Sequence, residues 1–175
     1  MKKLICLITL FVSIVSSACA DTIWVLCQPN SFVNTRTSAN KNSSVNGRME
    51  CGWKAETNNK TRNGYIYIED MSNEDGFGWI SKGYVVNSKP IIITLHTSVY
   101  ANGRVACWRS IGGTRRCWVN NSDQVTVYAV SKDWSVTNKG FIKTKYLGVD
   151  YELLARNMAK GFSDTGSTEL YWDDD

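Results

Sequence analysis

The chain has 175 residues, a formal net charge of +4 and a single histidine, His96. One imidazole excludes the several-histidine zinc centre of a metal-dependent amidase. Neither a glycine-rich phosphate-binding loop nor a helix-borne metal motif appears in the chain.

In chain order, residues 1–20 read as a secretory signal peptide, with Lys2 and Lys3, an apolar run over 4–15, and Ala18-Cys19-Ala20 as the cleavage site. The run falls short of the ~20 apolar residues of a bilayer span. A secreted or periplasmic protein beginning at Asp21 is therefore expected, with no membrane association after cleavage. Lipid attachment at Cys19 is the competing reading, but Ser16, Ser17 and Ala18 lack the leucine usual in bacterial lipoprotein signals.

A tandem repeat divides the mature chain. Gly78-Trp79-Ile80-Ser81-Lys82-Gly83-Tyr84-Val85 returns 62 positions later as Gly140-Phe141-Ile142-Lys143-Thr144-Lys145-Tyr146-Leu147. Each copy reads as a strand, a tight turn and a closing strand, with the glycine where the chain approaches another backbone. Unit one covers residues 21–88, with strands at 23–27, 32–36, 44–48, 53–57, 65–69 and 77–80. Unit two covers 89–149, with strands at 91–100, 104–109, 114–119, 124–130, 134–136 and 140–142. Pro90 marks a short linker. Arg36 and Arg109 are aligned ahead of the endings, 48 positions before Tyr84 and 37 before Tyr146, with the difference placed in loops.

Export leaves Cys27, Cys51, Cys107 and Cys117 in an oxidising compartment, where four cysteines allow three pairings. Cys51 and Cys117 are aligned by the repeat. That favours one bridge per unit, Cys27 with Cys51 and Cys107 with Cys117, each stabilising by roughly 2–4 kcal/mol. A four-thiolate zinc site is the alternative, but no C-x-x-C pair is present. Trp53 and Trp118, beside the repeat cysteines, are expected to cover the bridges.

Phe32-Val33-Asn34-Thr35-Arg36-Thr37-Ser38, then Val45-Asn46-Gly47 and the ending at 78–85, resemble the bacterial SH3-like (SH3b) domain. Val105-Ala106-Cys107-Trp108-Arg109-Ser110, Gln124-Val125-Thr126-Val127-Tyr128, Trp134 and the ending at 140–147 make a more diverged second copy. The resemblance covers most of residues 30–147. It implies an all-β fold of two tandem small SH3-like β-barrels and a role in attaching secreted proteins to peptidoglycan or its peptides.

Barrels of ~60 residues bury little surface, so some of the seven tryptophans and eight tyrosines stay exposed, where they suit sugars and peptides. Arg36, Tyr84, Arg109, Trp134 and Tyr146 are the candidate ligand-binding residues. The arginines have a second reading as loop braces and the tyrosines as packing residues. Trp134, next to Lys132-Asp133, is the aromatic expected at the surface, whereas Trp79 and Phe141 read as core.

Charge is uneven along the chain. Residues 21–88 balance seven basic against seven acidic side chains. Residues 89–149 hold Lys89, Arg104, Arg109, Arg115, Arg116, Lys132, Lys139, Lys143 and Lys145 against Asp123 and Asp133, a net +7, and residues 150–175 carry −5. Residues 150–160 predict a short helix with Asp150 as N-cap and Gly161 as stop, followed by an acidic tail.

Catalysis is not expected. His96 lies in the alternating run 91–100, a strand position, and a Cys-His peptidase needs a free cysteine beside it. Counting leaves a two-carboxylate glycosidase open, with Glu56, Glu69, Asp70, Glu74 and Asp75 present, but the last four surround a polar turn, as in a solvated loop. No catalytic residue, metal or cofactor is assigned. The expected function is binding, with a cell-wall polymer or peptide as partner, or else a protein docked through unit two or the acidic tail. No nucleic-acid partner is expected.

Overall fold

The computed structural model describes residues 21–71 and 78–160. The expected signal segment, the turn around Glu74 and Asp75, and the acidic tail at 161–175 lie outside the described residues. The fold is all-β, with one short helix at the end of the described chain. Among the described residues no helix is long and apolar enough to cross a membrane.

Unit one contains β1 (Asp21–Val25), β2 (Phe32–Arg36), β3 (Val45–Glu50), β4 (Lys54–Thr57), β5 (Thr61–Arg62), β6 (Tyr65–Ile68), β7 (Asp70–Met71), β8 (Gly78–Ser81) and β9 (Val85–Val86). They form two sheets, in the orders β7-β4-β1-β9 and β3-β2-β8-β6-β5. Unit two contains β10 (Ile91–Ser98), β11 (Val105–Trp108), β12 (Arg115–Val119), β13 (Gln124–Val130), β14 (Trp134–Thr137) and β15 (Gly140–Lys143). These form one sheet in the order β10-β13-β14-β15-β11-β12.

Alternation decides the faces. In β13, Val125, Val127 and Ala129 are buried while Gln124 is exposed and Thr126 and Tyr128 are half-buried. β6 does the same with Ile66 and Ile68. The inward residues build one core in unit one around Val25, Met49, Ile68 and Ile80. A second core in unit two gathers Val99, Cys107, Val127, Ile142 and Leu147. α1 (Tyr151–Ala159) starts where predicted, the Asp150 carboxylate accepting from the Leu153 N–H at 3.0 Å. The Tyr151 hydroxyl ties it to the linker by donating to the Lys89 carbonyl at 2.8 Å.

The repeated endings both turn through a single 3-10 segment, and the expected closing strand follows it in unit one only. Lys82–Tyr84 and Thr144–Tyr146 are 3-10 turns. The first leads into the two-residue β9, and the second ends with the Leu147 carbonyl accepting from the Thr97 hydroxyl at 2.9 Å.

Both units carry the same β-bulge, and it corrects two alignments. In unit one Thr35 faces Gly47 and then Arg36 faces Val45; in unit two Cys107 faces Cys117 and then Trp108 faces Arg115. Asn46 and Arg116 are thus the extra residues. Arg36 therefore superposes on Trp108, not Arg109, which lies one residue further on and beyond the end of β11. The counterparts of Cys107 and Cys117 are Thr35 and Gly47, so Cys51 is not the partner position of Cys117. Similar letters match across the bulge, but a one-residue slip reverses the side-chain face.

Each unit is drawn together by one close backbone crossing. Arg36 pairs with Trp79 and Trp108 with Phe141. Just before those aromatics, Gly78 has φ +147° and Gly140 φ +123°, and a Cβ there would lie 2.6 Å from the Arg36 carbonyl oxygen and 2.5 Å from that of Trp108. Gly140→Ala should therefore cost about 3 kcal/mol, from the positive φ together with a clash against backbone that cannot move aside. In a thermal melt that is a fall of about 6–10 °C. Gly112, at φ +67° with nothing within 4 Å, should lose only about 1 kcal/mol on the same substitution. Equal losses at the two glycines would refute the crossing as the cause.

Candidate ligand cleft between the two units

The units meet over a third apolar cluster formed by Leu26, Val86, Ala129, Val136 and Phe141. Tyr84 from unit one meets the Phe141 ring edge-on, with centroids 5.8 Å apart. Next to it, the Ile111 N–H donates to the Gly83 carbonyl at 2.8 Å. A Cβ on Gly83 would lie 2.9 Å from the Ser110 side chain, so glycine lets the loop between β11 and β12 sit directly on unit one. The Lys132 N–H donates to the Ser88 hydroxyl at 3.0 Å, closing the far side.

This packing leaves an open cleft of about 640 Å³ with walls from both units. Arg36, Tyr84 and Arg109, three of the five expected ligand-binding residues, line it together. Arg116, Trp108 and Tyr65 line it too; of these the sequence reading names Arg116 as one of unit two's basic residues but not among the five candidates. Arg116 reaches the cleft because it is the bulge residue, and a bulge re-aims a side chain in a way that letter patterns do not reveal.

Arg36 ends β2, and its Nη1 donates to the Ser43 carbonyl at 2.7 Å, bracing the loop before β3. The rest of its fork makes no other hydrogen bond among the described residues. Arg109 opens the β11–β12 loop, its N–H donating to the Thr114 carbonyl at 3.0 Å. The side chains of Arg109 and Arg116 are exposed and make no hydrogen bond or ion pair among the described residues. Among the described residues no carboxylate lines the cleft. Three guanidinium groups on a concave wall raise the local concentration of anions.

The other two expected residues lie elsewhere. Tyr146 lines a second groove of about 520 Å³ on unit two, with Arg104, Trp118 and Lys143. Trp134 is half-buried against the inter-unit cluster, under Lys143, and borders neither groove. Trp108 borders both.

The cysteines behave differently in the two units. Cys107 and Cys117, directly opposed across β11 and β12, are bonded, with Cα atoms 5.2 Å apart. Cys27 and Cys51 sit against each other but are unbonded in this structure, so the bridge expected in unit one is not formed. The Cys27 N–H donates to Cys51 Sγ at 3.3 Å, and the Cys51 thiol approaches the Cys27 carbonyl at 2.7 Å. Trp118 does not cover the bridge beside it: alternation turns it outward, and it is 42% exposed. Among the described residues no group of three or more His, Cys, Asp or Glu side chains could hold a metal ion.

Hydrogen bonding to Cys51 and then burial push the Cys27 thiol above its usual range, whereas the Cys27 thiol and the N–H groups of Cys27 and Gly52 lower that of Cys51. Cys51 is also the less buried of the two. In reduced protein, iodoacetamide should accordingly alkylate Cys51 several-fold faster than Cys27 between about pH 7 and 9. Peptide mapping reads the order, and Cys27 reacting first would contradict it.

Neither a protein-family model nor a curated protein matches the chain. Among solved structures it is similar to NlpC2 from Trichomonas vaginalis, at 17% identity and a TM-score of 0.33, covering 78% of this chain and 51% of that one. It is also similar to NlpC1 from the same organism, at 19% identity and a TM-score of 0.32, covering 77% of this chain and 48% of that one. The chain thus spans about half the length of each, and a likeness at this level carries no argument about function.

Proposed function

We propose that this chain is an exported binding protein, without a catalytic step, that holds a carboxylate-bearing cell-wall peptide or polymer strand in the cleft between its two units. The reading is carried by the convergence of Arg36 from one unit and Arg109 and Arg116 from the other on a concavity that no carboxylate of the described residues lines. A guanidinium fork takes a carboxylate through two parallel N–H bonds, a stronger and more directional contact than an ammonium makes. Tyr65, Tyr84 and Trp108 supply flat apolar surface beside these forks, against which a peptide backbone or a sugar ring packs. Wall peptides combine free carboxylates with small side chains and so match both halves of this wall. The Cys107–Cys117 bond fits the oxidising compartment in which such a ligand is met.

Arg109 is exposed and without a partner among the described residues, so Arg109→Gln should leave the thermal midpoint within about 2 °C. The same change should weaken binding of soluble peptidoglycan fragments about tenfold. Amidating the fragments' carboxylates should weaken binding to wild type by a similar factor. Fragment binding that ignores both changes would overturn the reading. No retention on purified peptidoglycan at any salt concentration would favour a protein partner instead.

A further inference from the structure

The groove beside Trp118 is separate from the inter-unit cleft and rests on its own observations. Trp118 is a large, half-exposed aromatic on β12, and the guanidinium carbons of Arg104 and Arg115 lie 4.4 Å and 4.6 Å from its ring centroid. Lys143 and Tyr146 border the same groove, with Lys145 Nζ 5.0 Å from the Tyr146 ring. Among the described residues none of these four cations has a carboxylate partner. Among the described residues Lys132 alone of unit two's nine cations has such a partner, Glu152 at 3.6 Å. From these contacts we propose that the groove is a second binding site, for an anionic polysaccharide bearing carboxylate or sulfate groups on its sugar rings.

A guanidinium held over an indole face by cation–π attraction still has N–H donors to offer an oxyanion. The two forks are thereby held before ligand arrives, which lowers the ordering cost of binding. Lys143 and Lys145 add further positive charge around Tyr146, where oxyanions repeated along a chain find successive partners. Single-stranded nucleic acid is the less fitting polyanion, because it binds by laying bases on open aromatic faces, and the Trp118 ring is already covered by cations. The site also places the +7 of unit two, which the cleft alone leaves largely unused.

The test uses the full exported chain with two probes, polygalacturonate for carboxylates and heparin for sulfates, and an oligothymidylate as the nucleic-acid control. At about 0.1 M salt the wild type should bind at least one of the glycans more tightly than the oligonucleotide. Arg104→Gln with Arg115→Gln should reduce glycan affinity about tenfold without moving the thermal midpoint. The charge-preserving pair Arg104→Lys with Arg115→Lys should still lose about threefold, since an ammonium cannot reproduce the stacked fork. Lys139→Gln, which removes an exposed charge of unit two that borders neither groove, should change glycan affinity by less than about twofold. Absence of glycan binding would overturn the proposal, as would equal or tighter binding of the oligonucleotide. Full affinity in the lysine pair would reduce the site to bare charge, and an equal loss in Lys139→Gln would remove its location.

Discussion

The structure depends on two backbone crossings too close for any side chain. At Gly78 and Gly140 the chain passes so near the carbonyls of Arg36 and Trp108 that a Cβ would lie within 2.6 Å and 2.5 Å of the oxygen. Those crossings pair β2 with β8 and β11 with β15, joining each bulged hairpin to the rest of its unit. They also fix the next residue. Trp79 enters the first unit, its ring edge-on to Tyr67 at 5.4 Å, whereas Phe141 faces the neighbouring unit and meets Tyr84.

From that point the contact between the units follows. Phe141 with Leu26, Val86, Ala129 and Val136 makes an apolar junction between chain segments far apart in sequence. The Ile111 to Gly83 hydrogen bond sets the β11–β12 loop against it. This loop begins with Arg109 and is followed by Arg116, so seating it on unit one brings both near Arg36. The binding wall is therefore a product of the junction, because neither unit alone holds more than part of the arginine set. A junction built of apolar side chains rather than ion pairs keeps the cleft's geometry insensitive to salt, while the cleft's attraction for anions is not.

Much of this was legible in the residues. Alternating apolar letters located most of the strands, β2 and β13 to the residue, and Asp150 located the start of α1. Arg36, Tyr84 and Arg109 were legible as candidates because the repeat marks them, and they do share one cleft. The reason they share it was not legible. Arg36 and Arg109 are not equivalent positions, and they meet only because the two units pack face to face. A bulge inserts one residue without any letter that announces it, so the cysteine alignment failed and Arg116 was read as one of unit two's charges without its place in the cleft. Trp134 and Trp118 changed places for a related reason. Burial against a second unit is a long-range fact, and Trp134 faces that unit while the strand turns Trp118 to solvent.

The central claim is that one ligand is held by both units at once. The most direct measurement is an NMR titration of the intact, isotope-labelled chain with a soluble peptidoglycan fragment, following the backbone and arginine side-chain signals. The account predicts that Arg36, Tyr65 and Tyr84 shift along with Trp108, Arg109 and Arg116, all with one dissociation constant. Shifts confined to one unit, or two sets that saturate at different ligand concentrations, would contradict it.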